Sequence, residues 1–264
     1  MAQHIGAAVR SVEAPVLGVV VPVDDEEALL GAGLDGLATA ARAVSDRARV
    51  RVVVVLDACS DRGAQIAARY PVETLRVEAR TVGRARRAGC AALLEGDSPA
   101  WWLATTDADS VVPREWLAAH LDALEDGCDA LVGTIAVADW GEHPLCTRVR
   151  FDEDYQGDQL ALNRRDRLHR HVHGANLGVH AGSYRAVGGF APRPSGEDVD
   201  LVARLSRAGG RMRRTRDIPV RTSAHRRTRT PRFRRPPPRD HTPGSPGRGL
   251  VAGGAHPASP VRSA

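Results

Sequence analysis

Two closely spaced aspartates in the middle of the chain carry the strongest chemical signal in the sequence. Asp107 and Asp109 are separated by one residue and directly follow a short apolar run over residues 101–106. Two carboxylates at the end of a strand can converge on one hard cation, and oxygen ligands of this kind suit Mg²⁺ or Mn²⁺. A structural role is the alternative, because Asp109 or Ser110 could cap a helix that begins near Pro113.

A second acidic pair lies late in the chain, where Gly196 precedes Glu197 and Asp198. Acidic side chains in the first turn of a helix are favoured by the helix dipole, which is one explanation of the pair. The other is that one of the two acts as a general base for an incoming hydroxyl group. Neighbouring side chains on a helix point in different directions, so only one of them can take that role.

Two further features are suited to binding a nucleotide. Asp57 follows the apolar run 50–56, and an acid at this position can accept hydrogen bonds from a base or a ribose. Arg86 lies in the segment 83–89, which opens a predicted helix, and helix N-termini and guanidinium groups both favour phosphate. An arginine-rich helix face exposed to solvent would explain Arg86 equally well. Asp61, shortly after Asp57, is predicted to cap the next helix.

Over the first half of the chain, short apolar segments alternate with helical patterns. The strands and helices that they predict must position the acidic residues and Arg86. Runs this short and β-branched predict buried parallel strands. Repeated strand–helix alternation predicts a doubly wound α/β fold, with a mostly parallel sheet flanked by helices. Ligands bind at the carboxyl ends of the strands in such sheets. Strands are predicted at 17–23, 50–56, 72–77, 101–106 and 130–137, and helices at 26–44, 61–70, 82–94 and 113–124.

The alternation stops after residue 137. A polar, helical stretch is predicted at 144–170, followed by a loop at 171–178, a helix at about 198–208 and a last strand at 218–222. From residue 225 onward proline, arginine, glycine and serine dominate, which predicts a disordered basic tail over 225–264. Residues 1–15 are predicted to be flexible, so the folded domain should span 16–224.

Charge is distributed unevenly along the 264 residues. All 37 basic residues are arginine, and the formal net charge is +5. Sixteen of these arginines but only two of the 32 acidic residues fall in 204–264, which leaves residues 1–203 with a net charge of −9. Because aromatic residues are nearly absent among the late arginines, we do not expect nucleic acid as a partner. Peripheral contact with an anionic membrane surface is the alternative.

The sequence lacks a membrane span, a secretory signal and a disulfide framework, and these features bear on the cellular compartment. No apolar run approaches the roughly 18 residues needed to span a bilayer, and the N-terminus does not resemble a secretory signal. The four cysteines are widely spaced and suit neither a zinc site nor a disulfide framework. We therefore expect a cytoplasmic protein, at most peripheral at the inner face of the membrane.

Six segments taken in order resemble the family-2 glycosyltransferases of the GT-A fold. They are VVVPVDDEE, VVVVLDACSD, VGRARRAG, TTDADS, HGANLGVHAGSYRAVGGF and GEDVDL, and they cover roughly residues 16–224. The resemblance implies a nucleotide-sugar half at about 16–137 and an acceptor half at about 138–224. It also implies inverting transfer of a sugar from a nucleoside diphosphate sugar to a hydroxyl group of a glycan, a lipid or a small molecule.

The resemblance further implies roles for individual residues of the donor site. Asp57 matches the acid that contacts the base, and Arg86 matches an arginine near the diphosphate. Asp109 would be the more direct ligand of a divalent cation, Mn²⁺ or Mg²⁺, with Asp107 beside it. His225 is the candidate for a late histidine that supplements the metal site. The full donor-binding set is Pro22, Val23, Asp57, Arg86, Asp107 and Asp109.

The acceptor side has its own matches to the family. Asp198 matches the catalytic base, and Glu197 lies beside it. Gly174, Ala175 and Asn176 match the loop that borders the donor sugar and the acceptor.

Other functions are weaker alternatives on the sequence. A sugar-phosphate nucleotidyltransferase also needs paired acids and Mg²⁺, but it usually has a glycine-rich basic loop after the first strand, where this chain reads VPVDDEEALLGAG. A dinucleotide-binding enzyme would need a GxGxxG motif at the same place, and the sequence has none there. An inactive, degenerate transferase that acts as a binding module is the alternative outside the enzymes.

Overall fold

The computed structural model describes residues 13–140, 145–146, 148–149 and 171–223. Most of the helix predicted at 144–170 lies outside the described residues, and so do His225 and the predicted tail at 225–264. Within the described part, no helix is both long enough and apolar enough to cross a membrane.

A seven-stranded sheet forms the centre of the described chain, in the order β3-β2-β1-β4-β7-β5-β8. All adjacent strands are parallel except for β7, which runs antiparallel to both neighbours, β4 and β5. A second sheet pairs β6 with β9. The strands are β1 (Val16–Val23), β2 (Arg49–Asp57), β3 (Glu73–Val77), β4 (Trp102–Thr105), β5 (Ala130–Val132), β6 (Ile135–Asp139), β7 (Leu177–His180), β8 (Met212–Arg214) and β9 (Val220–Ser223).

Helices cover both faces of the central sheet, which is why its inner strands are largely apolar. Alternate residues of a strand point to opposite faces. Val19 accordingly belongs to the core beneath α1 and α4, whereas Val20 belongs to the core beneath α3 and α6. The helices are α1 (Glu27–Arg42), α2 (Gly63–Ala67), α3 (Val82–Leu94), α4 (Trp116–Glu125), α5 (Ala181–Ala186) and α6 (Glu197–Arg207), with one 3₁₀ turn at Gly174–Asn176.

The chain order of the strands creates a switch point in the middle of the sheet. From β1 the chain moves outward to β2 and β3, and then returns to place β4 on the other side of β1. β1 and β4 are parallel neighbours, so the loops that follow them leave at the same edge of the sheet, where ligands bind in folds of this kind. The predicted doubly wound, mostly parallel fold is confirmed.

The single strand predicted at 130–137 is wrong, because the structure divides it between two sheets. β5 pairs in the central sheet, whereas β6 pairs with β9. The division falls at Gly133 and Thr134, where a Cβ atom on Gly133 would collide with the side chain of Asn176. The chain thus changes sheets where it passes closely over that amide. The apolar pattern continues through this point, so it gave no sign of the change.

Candidate active site

A cleft of about 510 Å³ opens at the switch point of the central sheet. Pro22 and Val23 line it from the end of β1, Asp57 from the end of β2, and Asp107 and Asp109 from the loop after β4. The opposite wall comes from later parts of the chain. Its members include Gly174, Ala175, Glu197, Asp198, Thr222 and Ser223.

Arg86 connects the two acidic pairs of the cleft. Its guanidinium donates to Asp107 Oδ1 and to Glu197 Oε1, and the residue is only 3% exposed. Burial opposes the charge of Arg86, but the carboxylates of Asp107 and Glu197 raise its pKa, so the guanidinium is charged. Burial in turn raises the pKa of Glu197, although Arg86 opposes that shift. Arg86 thus faces carboxylates, and it is the ion-pair partner that makes the burial of Glu197 possible.

Asp198 is oriented by two backbone groups. Its Oδ2 atom accepts a hydrogen bond from the N–H of Gly174 at 2.8 Å, and its Oδ1 atom accepts one from the N–H of Val199 at 2.8 Å. Gly174 in turn has no room for a side chain, because a Cβ atom there would collide with the guanidinium of Arg86. Its carbonyl accepts a hydrogen bond from the hydroxyl of Thr105, the last residue of β4, at 2.6 Å. The strand that ends beside Asp107 therefore also holds the backbone that orients Asp198.

Asp109 lies against two hydroxyl groups rather than at a helix end. Its Oδ1 atom accepts hydrogen bonds from Ser110 Oγ at 3.1 Å and from Thr222 Oγ1 at 3.2 Å. Burial, together with the nearby charge of Asp107, raises the pKa of Asp109 to about 6. The alternative of a helix cap is excluded, because α4 begins at Trp116 and has Glu115 at its N-cap position without a side-chain cap.

Asp57 stabilises the loop that precedes α3. It is 6% exposed, and its Oδ1 atom accepts a hydrogen bond from the N–H of Arg80 at 2.8 Å. Asp61, by contrast, serves two helix starts: it accepts from the N–H of Gly63 at 2.9 Å and from that of Glu27 at 2.8 Å. Asp61 thus binds the first backbone N–H of each helix, although the N-cap residue of α2 is Arg62 rather than the predicted Asp61.

Asn176 lies behind the cleft, unlike Gly174 and Ala175 beside it in the chain. Its side chain is fully buried, and its amide donates to the carbonyl oxygens of Thr134 and Ile218, both at 2.8 Å. Its carbonyl oxygen accepts from the indole N–H of Trp116, also at 2.8 Å. All three groups belong to the protein interior, so this side chain holds the surrounding segments together and does not face the cleft.

The described lining of the cleft is strongly acidic. Seven carboxylate side chains line it, and its one guanidinium, Arg86, is already paired with two of them. The acidic residues are Asp24, Glu26, Asp57, Asp107, Asp109, Glu197 and Asp198. An anionic ligand can enter such a cleft only together with cations, because like charges at close range repel.

The oxygen donors of Asp107 and Asp109 fit a hard divalent cation. They do not form a closed cage of protein ligands: in the described residues, the one group of three close histidine, cysteine or carboxylate ligand atoms is Asp25, Cys59 and Asp61. A cation between Asp107 and Asp109 would therefore take its remaining ligands from water and from substrate oxygens, which is usual for Mg²⁺ at phosphate sites.

Sequence reasoning missed Thr222 and Ser223, which both line the cleft. The only sequence signal was a pair of hydroxyl residues at the end of the last predicted strand. The alternation of side chains along a strand would place just one of the two toward the cleft. Their joint position depends on the pairing of β9 with β6, which the sequence pattern did not show.

The sequence matches one protein-family model, described as glycosyl transferase family 2, over residues 18–188, which is more than half of the chain. Among curated proteins, no sequence matches this chain.

Several solved structures share the fold. TarS 1–349 from S. aureus is 17% identical with a TM-score of 0.56, and the match covers 79% of this chain and 60% of that one. The same protein in complex with UDP-GlcNAc matches over 78% of this chain and 58% of that one, again at 17% identity and a TM-score of 0.56. The mannosyltransferase PcManGT from Pyrobaculum calidifontis, in complex with GDP-Man and Mn²⁺, is 19% identical with a TM-score of 0.59.

The match to PcManGT covers 82% of this chain and 59% of that one. This chain therefore spans about 60% or less of the length of these solved proteins. At such low identity the likeness shows a GT-A-like fold, and function has to be argued from the site.

Proposed function

The chain belongs to glycosyl transferase family 2, and we propose that it is a metal-dependent, inverting glycosyltransferase that moves a sugar from a nucleoside diphosphate sugar to a hydroxyl group of an acceptor. The observation that carries the proposal is the meeting of Asp107, Asp109 and Asp198 at one cleft, although they come from distant parts of the chain. A donor diphosphate and an acceptor hydroxyl need this pairing of a cation site with a base.

The acidity of the cleft supports the metal requirement. A nucleoside diphosphate is an anion, and the single guanidinium of the described lining is occupied by Asp107 and Glu197. Mn²⁺ or Mg²⁺ held by Asp109, with Asp107 beside it, would neutralise the charge that develops on the leaving diphosphate. His225, the proposed additional ligand, lies outside the described residues.

Asp198 is the proposed catalytic base. Glu197 cannot take this role, because it is 2% exposed and its carboxylate is paired with Arg86. The two backbone N–H groups that bind Asp198 fix the direction of its carboxylate. It would accept the proton of the acceptor hydroxyl as the oxygen attacks the anomeric carbon on the side opposite to the diphosphate, and this single displacement inverts the configuration.

The donor half of the cleft would be formed by the ends of β1, β2 and β4. We propose that Asp57 contacts the base or ribose and that Pro22 and Val23 form the apolar side of that pocket. Gly174 and Ala175 border the sugar and the acceptor in this proposal, with Asn176 supporting them from behind. The acceptor would be a glycan, a lipid or a small molecule that offers a hydroxyl group.

We also propose a cytoplasmic setting, with peripheral contact to the inner face of the membrane as the further possibility. All four cysteines are free thiols, as a reducing compartment would keep them.

No observation favours a sugar-phosphate nucleotidyltransferase over this proposal. Such an enzyme would need basic groups after the first strand, whereas Asp24 and Glu26 line the cleft there.

Binding measurements with a panel of donors test the proposal. The solved structures contain UDP-GlcNAc in one case and GDP-Man with Mn²⁺ in the other, so these two sugars are the first members of the panel. Thermal unfolding is followed with each donor in Mn²⁺, in Mg²⁺ and in EDTA. A donor at one hundred times its dissociation constant should stabilise the protein by about 2.7 kcal/mol. We expect this gain with one nucleotide, and only when a divalent cation is present.

Asp109→Asn should abolish the metal-dependent gain, whereas Asp46→Asn is the matched control. Asp46 is exposed in the turn between α1 and β2, and it does not line the cleft. Stabilisation that survives in EDTA would contradict the metal requirement. Binding without any sugar transfer would favour the inactive binding module. NMR of the anomeric proton of the product would check inversion, and a retained configuration would refute it.

A further inference from the structure

We propose that Ser223 is a donor-site residue whose hydroxyl group donates a hydrogen bond to an oxygen of the bound nucleoside diphosphate, while Thr222 beside it holds Asp109. This inference rests on the proposed function. It starts from an irregular feature of the small sheet, in which two consecutive side chains of β9 both line the cleft.

The pairing of β9 with β6 is irregular at the point where the consecutive side chains of Thr222 and Ser223 reach the cleft. Thr222 pairs with Val137 and Ser223 with Asp139, so the register shifts by one residue and leaves Ala138 without a partner in the ladder. A register shift of this kind is accompanied by stronger local twist, and bulges are frequent beside active sites. Thr222 and Ser223 are both buried, at 8% and 6% exposure, whereas Arg221 before them in the strand is exposed.

Thr222 already has a partner in the cleft. Its Oγ1 atom donates to Asp109 Oδ1 at 3.2 Å, and Asp109 is the proposed metal ligand. The end of β9 is therefore fixed beside the position at which the cation and the diphosphate would meet. Asp57, at the proposed base end of the cleft, lies at the end of β2 on the other side of the switch point.

Ser223 differs from Thr222 because its Oγ atom is buried and has no hydrogen-bond partner among the described residues. A buried hydroxyl group without a partner destabilises a protein, so such groups usually find a partner in the protein, in water or in a ligand. This hydroxyl belongs to a residue that lines the proposed donor site. A bound ligand is thus the natural source of the missing partner.

A phosphate oxygen is the partner that the charges of the cleft favour. The described lining has seven carboxylates and one ion-paired guanidinium, and its other side-chain donors are His173, Ser195, Thr222 and Ser223. A neutral hydroxyl can donate without adding negative charge. Ser223 directly follows Thr222, and the contact of Thr222 with Asp109 brings this end of β9 toward the proposed diphosphate site.

Ser223→Ala tests the inference through its stability without ligand and through its affinities for the nucleoside diphosphate and for the free nucleoside. In the absence of ligand, the variant should be as stable as the wild type or more stable, because it removes a buried hydroxyl that lacks a partner. By calorimetry in Mn²⁺, its affinity for the nucleoside diphosphate should fall about tenfold, as for the loss of one hydrogen bond to a charged group. Affinity for the free nucleoside should not change.

Ser206→Ala is the matched control, because this serine is exposed on α6 and does not line the cleft. It should leave both affinities unchanged, and its stability should rise only slightly, because alanine favours the helix more than serine does. A merely structural Ser223 would give the reverse pattern, a lower unfolding midpoint with unchanged affinity, and that result would overturn the inference. If Ser223→Ala does not fold, Ser223→Cys is measured in the same way, since a thiol is a weaker donor of similar shape.

Measurements on the wild-type protein distinguish failure of the proposed function from failure of the role given to Ser223. If the wild type binds a nucleoside diphosphate with Mn²⁺ and Ser223→Ala binds it equally well, only the role of Ser223 is refuted. If the wild type binds none of the UDP, GDP and dTDP nucleotides with Mn²⁺, the proposed function fails, and this inference fails with it.

Discussion

At the scale of single residues, the buried guanidinium of Arg86 determines how the acidic groups of the cleft are arranged. It separates Asp107 from Glu197 and holds both carboxylates in fixed positions. A buried pair of this kind adds little net stability compared with an apolar core, but the removal of one partner leaves an uncompensated charge in the interior. The ion pair is therefore best tested by deleting each partner separately and both together.

We expect Arg86→Met to lower the free energy of unfolding by about 3–5 kcal/mol, because Glu197 is then buried without a counter-charge. Urea denaturation at pH 7.5 measures the loss. Arg86→Met combined with Glu197→Gln should recover part of it. Arg62→Met is the control: Arg62 pairs with Glu27, but its side chain is 78% exposed, so its removal should lower the free energy of unfolding far less. Equal losses at the two sites would contradict the buried pair.

The pKa of Asp109 leads to a prediction about pH. Burial raises this pKa from 3.8 to about 6, so the folded protein binds the proton more tightly than the unfolded chain does. The contribution of Asp109 to stability therefore falls as the pH rises from about 4 through 6, and above 6 its buried charge is unfavourable. In EDTA, Asp109→Asn should stabilise the protein at pH 7.5 by on the order of 2 kcal/mol.

That gain should be smaller at pH 5, where Asp109 in the folded wild type is mostly protonated. Urea denaturation at the two pH values measures the difference, and Asp46→Asn should show no such dependence. A gain that is larger at pH 5 than at pH 7.5 would contradict the raised pKa.

The sequence could predict most of the charged residues that line the cleft, but not the neighbours that they contact. Asp57, Asp107 and Asp109 follow apolar runs, and the carboxyl ends of parallel strands meet at one edge of a sheet. The orientation of Asn176 away from the cleft depends on Trp116 and on two carbonyl groups from distant segments. No local pattern of residues records such contacts.

At the scale of elements, α3 packs unusually closely on the central sheet. A Cβ atom at Gly89 would lie 2.5 Å from Val20 Cγ1 and 2.8 Å from Val55 Cγ2. This helix carries Arg86 one turn earlier, so the close approach also sets how far the guanidinium reaches toward the cleft.

Two glycine-to-alanine substitutions should therefore change stability in opposite directions. Gly89→Ala should lower the free energy of unfolding by about 1–3 kcal/mol, because the methyl group overpacks the core against β1 and β2. Gly31→Ala in α1 should raise it by about 0.5–1 kcal/mol, since the nearest atom to its Cβ position is Tyr70 Oη at 3.9 Å and alanine favours the helix. Urea denaturation of the two variants checks the signs. Stabilisation by both would show that α3 can move away from the sheet.

The bounds of the helices and strands were predicted well where one pattern of burial holds along the whole element. α3 begins and ends at the predicted residues, 82 and 94, and β1 to β4 lie within one residue of their predicted bounds at every end. The division of 130–137 into β5 and β6 could not be predicted, because both pieces are apolar and each is buried by a different partner strand.

At the scale of the whole molecule, the lining of the cleft is negatively charged, whereas the arginine-rich residues 204–264 carry a net positive charge. The family and the fold could be predicted from the order of six segments, none of which is specific alone. The acidity of the finished cleft could not be predicted in the same way, because it depends on which carboxylates the fold brings together. Asp24 and Glu26, for example, line the cleft together with Asp198.

The acidic cleft predicts an unusual order of affinities in the absence of divalent cations. In EDTA, a nucleoside diphosphate should bind no more tightly than the nucleoside alone, since the diphosphate meets carboxylates without a cation. With Mn²⁺ the order should reverse, in favour of the diphosphate. Calorimetry with each nucleoside and its diphosphate makes the comparison. Tighter binding of the diphosphate in EDTA would mean that positive groups beyond the described lining act on the cleft.

The pairing of β6 with β9 also affects when the cleft can first bind a ligand during synthesis. The ribosome synthesises the chain from its N-terminus, so the carboxyl ends of β1, β2 and β4 can come together before the later segments have been made. β9 contributes Thr222 and Ser223 to the opposite wall, and it pairs with a strand more than eighty positions earlier. Under the proposed function, the growing chain would have only part of the donor site until β9 has been synthesised, and a nucleotide sugar would stabilise the chain only after β9 has paired with β6.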